Sequence, residues 1–385
     1  MENNKTMQSN HIPKVSIGMP KGIGTFKPLI TTIIPTYCRP KLLQRAIKSV
    51  LNQTYPHFQV CVYDNASGDE TGSVVAELSK EDHRVKYYCH AENIGAFNNF
   101  QFGLKRVETP FFSFLSDDDL VLPEFYQTAM EGFGSHPDAM FSATDVIHMG
   151  MHSNILKMAL ETWTPGFYLP PNGLMAILEH GHSEWTGILF REEVTEVIGF
   201  LDQETGAFSD LDFTLRIAAR CPFVVSKPPG AVFNLSMSQV RAPYQFDLMW
   251  PGVLKMICNL TKDKSLPLDV RTYAERVLWE RFEKGLFELG ISYLSRGYPA
   301  NAKKVAALFR DQFRGRARYI ALSAIINVHQ YFPFARFMLD SLIVCRRYMR
   351  SKRVQSNQEQ YYEHRHFFTA TDSWKIEDYT QDISR

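Results

Sequence analysis

Three consecutive carboxylates, Asp117, Asp118 and Asp119, close an apolar run, Phe111-Phe-Ser-Phe-Leu115. A run of that composition reads as a buried strand, usually central in its sheet. Three adjacent acids at a strand end concentrate like charge. A cation among them relieves that cost, and hard divalent ions prefer oxygen ligands. In open α/β sheets ligands lie beyond the carboxyl ends of the strands. The triplet therefore points to a metal-dependent site for a phosphorylated ligand. A solvated loop with an N-cap for the helix that begins near Pro123-Glu-Phe-Tyr126 is the alternative that an isolated triplet leaves open.

The elements needed to position such a site precede it. Leu29-Ile-Thr-Thr-Ile-Ile34 is a β-branched run stopped by Pro35-Thr-Tyr-Cys-Arg-Pro40. Leu42, Leu43, Ala46, Ile47, Val50 and Leu51 then recur at helical spacing. Phe58 to Tyr63 is a second strand running into Asp64-Asn-Ala-Ser-Gly-Asp69, with a helix over 70–79. Arg84 to Tyr88 form a third strand, and Asn93-Ile-Gly95 turns into a helix reaching Arg106. Alternation of this kind predicts a parallel sheet with helices on both faces. Right-handed crossovers bring the turns after Ile34, Tyr63 and Leu115 to one edge.

Five motifs along this stretch resemble the family-2 glycosyltransferases of GT-A fold in order, spacing and strand-end placement. They are Pro35-Thr-Tyr with Arg39, Ser49-Val-Leu-Asn-Gln-Thr-Tyr-Pro56, Asp64-Asn-Ala-Ser-Gly-Asp-Glu-Thr71, Asn93-Ile-Gly95 and Ser116-Asp-Asp-Asp119. The resemblance covers roughly residues 28 to 240. It implies an α/β fold with a mostly parallel sheet of GT-A type, binding a nucleotide-diphosphate sugar, in a family whose members mostly invert the anomeric centre. Pro35, Thr36, Tyr37 and Arg39 would then line the donor pocket. Asp64, with Asn65 beside it, would accept the N–H of a uracil-type base, which favours UDP. An Asx-turn or a helix cap is the structural alternative for Asp64, and plain core packing is the alternative for Tyr37. Asn93 and Gly95 permit a tight turn beside the nucleotide. Asp118 and Asp119 would form or support the metal site, Asp117 would reach the ribose, and Mn²⁺ or Mg²⁺ would be the cofactor. Departures from the family pattern are Asn98 where members often carry Arg, and Ser116 where the first aspartate often stands.

Further on, Phe208-Ser-Asp-Leu-Asp-Phe-Thr-Leu-Arg216 resembles the family's acceptor-side signature, with Ser209 in place of its Glu. The resemblance gives Asp210 the general-base role, and a helix N-terminus helps such a base stay ionised. A plain cap by Ser209 or Asp210 is the alternative. Asp212 and Arg216, at i, i+4, read as a structural pair. In Glu179-His-Gly-His-Ser-Glu-Trp-Thr-Gly187, His182 and Trp185 are acceptor-side candidates, with core packing the alternative for Trp185. Met149, Met151 and Met158 read as packing, and Pro228-Pro-Gly230 with a strand over 231–233 closes the unit.

Four segments follow from these patterns. Residues 1–27 form a polar arm, 28–240 the GT-A unit, 241–350 a helical extension and 351–385 a polar tail. Apolar periodicity marks helices over 270–296, 302–313 and 318–328. Phe332 to Cys345 is apolar and precedes Arg346-Arg-Tyr-Met-Arg-Ser-Lys-Arg353. Such a pairing suits peripheral contact with an anionic membrane surface, and a helix packed on the catalytic unit is the alternative.

The chain has 385 residues, a formal net charge of +1, 45% hydrophobic and 22% charged residues. That balance carries no global field toward nucleic acid. Its six cysteines show no CxxC pair, which suits a reducing compartment. The first residues lack a signal-peptide core, and no run of about 18 apolar residues occurs. A cytoplasmic protein, peripheral at the inner membrane face if the basic cluster docks there, is the expectation. The N-x-S/T triplets at Asn4, Asn52, Asn65, Asn234 and Asn259 are read as unglycosylated. The function expected is transfer of a sugar to a glycan or lipid-linked acceptor in surface polysaccharide synthesis. A sugar nucleotidyltransferase and a non-catalytic nucleotide-sugar-binding scaffold are the rival readings.

Overall fold

β-Branched and aromatic runs, buried on both faces, make a sheet that helices must cover on two sides. A computed structural model describes residues 28–150, 155–235, 246–312, 316–331 and 356. The expected N-terminal arm, the 332–353 segment with its basic cluster, most of the tail and Met151 lie outside these residues.

Strands β1 (Ile30–Thr36), β2 (Phe58–Asp64), β3 (Val85–Cys89) and β4 (Phe111–Phe114) alternate with helices α1 (Pro40–Leu51), α2 (Thr71–Glu81) and α3 (Ala96–Leu104). β1 pairs in parallel with β2 and with β4, and β2 with β3. Register places Thr36 opposite Asp64 and Asp64 opposite Cys89. The strand ends are therefore level, and the turns after them share one edge. α1 buries Leu43, Ala46, Ile47 and Val50, the stripe its periodicity predicts.

Beyond β4 come β5 (Leu120–Val121), α4 (Phe125–Ser135), β6 (Phe141–Met149), β7 (Ile155–Met158) and β8 (Gly166–Tyr168). Then follow α5 (Asn172–His180), a 3-10 turn (Trp185–Gly187), β9 (Ile188–Arg191), α6 (Val194–Ile198), a second 3-10 segment (Gln203–Phe208), α7 (Ser209–Arg220) and β10 (Phe223–Asn234). The sheet order is β3-β2-β1-β4-β9-β6-β10-β5, with β7 on β6 and β8 on β10. β1, β2, β3, β4, β6 and β10 run one way, and β5, β7, β8 and β9 the other. The parallel expectation thus holds for the first four strands, and the second half is mixed. β9 enters antiparallel between β4 and β6.

β10 is longer than the 231–233 strand expected. Its register shifts around Pro229, so the prolines fall where the ladder with β6 is interrupted. A Cβ on Gly230 would lie 2.1 Å from Thr144 Oγ1, so only glycine lets the strands close there.

Among the described residues four helices follow: α8 (Phe246–Thr261), α9 (Leu268–Ser295), α10 (Pro299–Gln312) and α11 (Arg316–Tyr331). α8 escapes sequence reading because Pro251 interrupts it. One face of the sheet, with Ile34, Val60 and Phe111, packs on α1, α2 and α4. Phe114, Phe190 and Phe213 share a single core with Trp250, Leu278 and Phe309 of the extension. α8 comes so close that a Cβ on Gly252 would lie 2.3 Å from the Thr205 carbonyl oxygen. No helix among the described residues is long and apolar enough to cross a membrane.

Candidate active site

The edge at the ends of β1, β2 and β4 gathers most of the expected donor-side residues. Thr36 ends β1 and donates its hydroxyl to Asp117 Oδ2 at 2.8 Å. Arg39, next after the left-handed Cys38 (φ 54°), donates from one nitrogen to Asp117 Oδ1 (3.0 Å) and Asp118 Oδ2 (3.1 Å). Burial lowers the Arg39 guanidinium, but the two carboxylates outweigh it and hold it above its usual value. Burial pushes the Asp117 carboxyl up, and Arg39 opposes that push.

The two residues expected at the metal site differ in geometry. Asp119 faces inward. Its Oδ1 accepts from the Asn234 backbone N–H (2.8 Å) and its Oδ2 from the Thr186 hydroxyl (2.7 Å). It anchors the acidic turn to the end of β10 and to the 3-10 turn. Burial, then the Asp118 charge, raise its carboxyl well above the usual range. Asp118 engages Arg39 through Oδ2 alone, which leaves Oδ1 without a protein partner among the described residues. Asp117 and Asp118 share one guanidinium and are under-neutralised, and an oxygen donor set fits a hard cation. The described residues hold no group of three His, Cys, Asp or Glu able to enclose a metal by themselves. The fit is therefore to an ion held by Asp118 with a ligand's oxygens completing the shell, the mode Mg²⁺ adopts with phosphates.

Asp64, at the end of β2, is almost fully buried. Its Oδ1 accepts from the backbone N–H (3.0 Å) and hydroxyl (2.5 Å) of Ser67, and its Oδ2 from the Tyr87 hydroxyl (2.6 Å). The Asx-type turn is thus realised. The Ser67 hydroxyl oxygen also accepts the Cys38 N–H at 2.8 Å, joining the turn after β1 to the turn after β2. Asn65 spans to the next turn. Its amide donates to Asn93 Oδ1 and its oxygen accepts the Ile94 N–H, both at 2.8 Å. Asn93 Oδ1 also accepts the Gly95 N–H, and Gly95 takes φ 82°, where glycine is favoured. Tyr37 is 48% exposed, so of its two readings the core one does not hold. Pro35 lies within β1 and is buried.

The segment 182–187 links this edge to α7. Thr186 holds Asp119, as above. The Trp185 indole N–H donates to Thr214 Oγ1 (3.2 Å), whose hydroxyl donates to the Asp210 carbonyl (2.9 Å). The Trp185 ring stacks on Phe114 with centroids 4.3 Å apart. The ring is half-buried, with that face against the core. Asp210 sits in the first turn of α7, half-buried, with Oδ1 on the Leu211 N–H at 2.7 Å. Burial raises its carboxyl, while the neighbouring His182 opposes the shift. His182 is half-buried, and its Nδ1 lies 2.8 Å from the Ser183 carbonyl, so that nitrogen carries the proton.

Sequence reading missed the pair His148 and Glu184. His148 Nε2 lies 3.3 Å from Glu184 Oε1. Burial alone would raise Glu184, but His148 and then His182 hold it below its usual value. The only sequence signal was position. His148 stands near the C-terminal end of β6, which runs in the same direction as β1, β2 and β4. Asn234 was also missed. Its amide donates to the Asp118 carbonyl at 2.6 Å.

The Asp212–Arg216 pair is structural, as its spacing suggested, with Nε to Oδ2 at 2.7 Å. Asn259 of α8 donates to both Asp212 and Asp202 at 2.9 Å. The side-chain amides of Asn65, Asn234 and Asn259 are thus all engaged internally, in keeping with their reading as unglycosylated.

Residues 31–197 match the family model described as glycosyl transferase family 2. A GalNAc(5)-diNAcBac-PP-undecaprenol beta-1,3-glucosyltransferase of Campylobacter jejuni is 38% identical over 105 residues, 27% of this chain and 34% of that protein. The teichuronic acid biosynthesis glycosyltransferase TuaG assigned in Bacillus subtilis is 31% identical over 94 residues, 24% of this chain and 37% of that one. The chain thus spans about a third of the length of these relatives. The S. aureus TarS 1–349 crystal structure shares the fold, with a TM-score of 0.56 and 17% identity over 78% of this chain and 91% of that one. Through residues 31–197 the chain is thus similar to glycosyl transferase family 2.

Proposed function

We propose that the protein is a metal-dependent, inverting glycosyltransferase that moves a sugar from a nucleotide diphosphate to an acceptor hydroxyl. One observation carries this reading. The 182–187 segment ties an under-neutralised acidic turn, through Thr186 and Asp119, to the first turn of the helix bearing Asp210. A leaving-group site and a base are thereby held in one frame.

In this reading the donor lies along the ends of β1, β2 and β4. Exposed Tyr37 covers the nucleotide, and Pro35 and Thr36 shape the pocket floor. The base N–H takes Asp64 Oδ2 from Tyr87, whose position is partly exposed. This favours UDP, with Asn65, Asn93 and Gly95 fixing the adjoining turn. Asp117 and Arg39 orient the ribose and diphosphate. Asp118, supported by Asp119, would hold Mn²⁺ or Mg²⁺, which when bound neutralises charge on the departing diphosphate. Asp210 takes the proton from the acceptor hydroxyl as that oxygen bonds to the anomeric carbon and the carbon–phosphate oxygen bond breaks on the opposite face. One base and no enzyme nucleophile then give inversion. The C. jejuni relative's name specifies a polyprenol-diphosphate glycan, and a lipid-linked or polymeric glycan is the acceptor class proposed here, with His182 on the acceptor side.

Calorimetry with UDP, GDP, dTDP and CDP, with and without Mn²⁺, tests the donor half. Metal-dependent binding of UDP that Asp118→Ala abolishes is the expected result. Product with retained anomeric configuration would rule out the mechanism. A non-catalytic nucleotide-sugar scaffold is the second reading, favoured by Ser116, Asn98 and Ser209, the departures from the family pattern that the sequence resembles. It predicts nucleotide binding with no turnover in the wild type.

A further inference from the structure

Thr144, Val146 and His148 are alternate residues of β6 and so share one face of that strand. All three meet the segment 183–187. Thr144 donates its hydroxyl to the Gly187 carbonyl (3.0 Å) and accepts the Ser183 hydroxyl on its own carbonyl (2.9 Å). A Cβ on Gly187 would lie 2.3 Å from Val146 Cγ2, so the segment is seated closely there. His148 completes the row through Glu184, with Nε2 3.3 Å from Oε1. Of these three contacts this is the one between ionisable groups.

Both sides of the pair lead to Asp119. The His148 ring packs on Phe233 of β10 with centroids 5.2 Å apart, and the next residue, Asn234, donates its N–H to Asp119 Oδ1. Glu184 stands two residues before Thr186, which donates to Asp119 Oδ2. Trp185, between them, reaches the Asp210 carbonyl through Thr214. His148 is buried and Glu184 half-buried. Burial opposes the Glu184 charge, but His148 and then His182 hold the carboxyl below its usual value, so it stays ionised at neutral pH. Removing one partner from such a pair leaves the other's charge uncompensated, which makes the contact costly to break.

We propose that His148 and Glu184 are positioning residues: their pair clamps the 183–187 segment to β6 and thereby holds the acidic turn and the first turn of α7 at a fixed spacing. What that spacing serves rests on the transferase reading, in which a metal site and a base act together. The clamp itself is read without metal, donor or acceptor.

Hydrogen exchange on the full chain, free of metal and nucleotide, tests the clamp. His148→Ala and Glu184→Ala should each speed exchange about tenfold across 116–120, 183–187 and 208–213, and leave 30–36 and 58–64 unchanged. The double variant should exchange no faster than the faster single. Glu184→Gln, which keeps an acceptor for His148, should bring exchange back to within about twofold of wild type. His148→Gln and Glu184→Ser carry the expectation of the alanines if either of those fails to fold. Faster exchange confined to 183–187, or single effects that simply add, would overturn the proposal. Calorimetry with UDP supplies the second readout. The gain in UDP affinity on adding Mn²⁺ should fall about tenfold in the alanine variants, with metal-free affinity unchanged. Equal loss with and without Mn²⁺ would show a pair that only stabilises the fold, and would overturn the positioning role. A wild type that binds no UDP in either condition counts against the transferase reading, while the exchange result still decides the clamp.

Discussion

In the proposed mechanism Asp210 acts as a base only when ionised, and burial raises its pKa. Activity is then complete above the raised value and is lost as pH falls through it. The acid limb of the kcat/KM profile is expected at a higher pH than an exposed aspartate, near 3.9, would give. Asp210→Asn should lower kcat by about 10²–10⁴ while calorimetry still detects the nucleotide. At Asp64, replacement by Ala should erase discrimination between UDP and CDP. It should also free Ser67, and with it the link to Cys38. These residues were legible because a carboxylate at a strand end or helix start is conspicuous in sequence. Glu184 and His148 were not, since their pairing joins residues 36 apart across β7, β8 and α5. Trp185 was ambiguous for a different reason. A large ring with one N–H suits a sugar face or a core equally until its neighbours are known.

Elements explain why the acidic turn holds its shape. Asp119 accepts from β10 and from the 3-10 turn, so Asp119→Ala should cost about 2–3 kcal/mol, read from denaturant unfolding. Its folded-state pKa is raised, so ionising it opposes folding, and that contribution to stability falls as pH rises. Asp119→Asn should therefore lie within about 1 kcal/mol of wild type at neutral pH in metal-free buffer. The first four strands and three helices were readable because hydrophobic period and turn residues agreed there. α8 and most of β10 were hidden by Pro251 and by Pro228-Pro229. Proline signals a break, yet here a helix carries it internally and a bulge absorbs it.

At the scale of the molecule, the extension is no loose appendage. Trp250, Leu278 and Phe309 share the core of Phe114, Phe190 and Phe213. Asn259 binds Asp212, and Gly252 touches the Thr205 backbone. A chain cut after Asn234 should lose its cooperative thermal transition and aggregate, because it exposes one whole face of the core. Gly252→Ala in the full chain should destabilise by about 1–3 kcal/mol, read as a lower Tm. The boundary near residue 240 marks a change of element type that composition reveals. It does not divide the core, because the contacts crossing it come from residues far apart in sequence.

β9 comes after β4 and β6 in the chain yet lies between them in the sheet. During synthesis the N-terminal strands leave the ribosome first and begin to assemble. Until Ile188–Arg191 emerges, β4 and β6 have no strand to join them, and both edges stay open. The sheet can be completed only late in translation, with about half of the chain already outside the ribosome. Arrested nascent chains should turn protease-resistant across residues 111–149 only once the tunnel has released β9. Chains stalled with β9 still inside should be the ones that trigger-type chaperones hold.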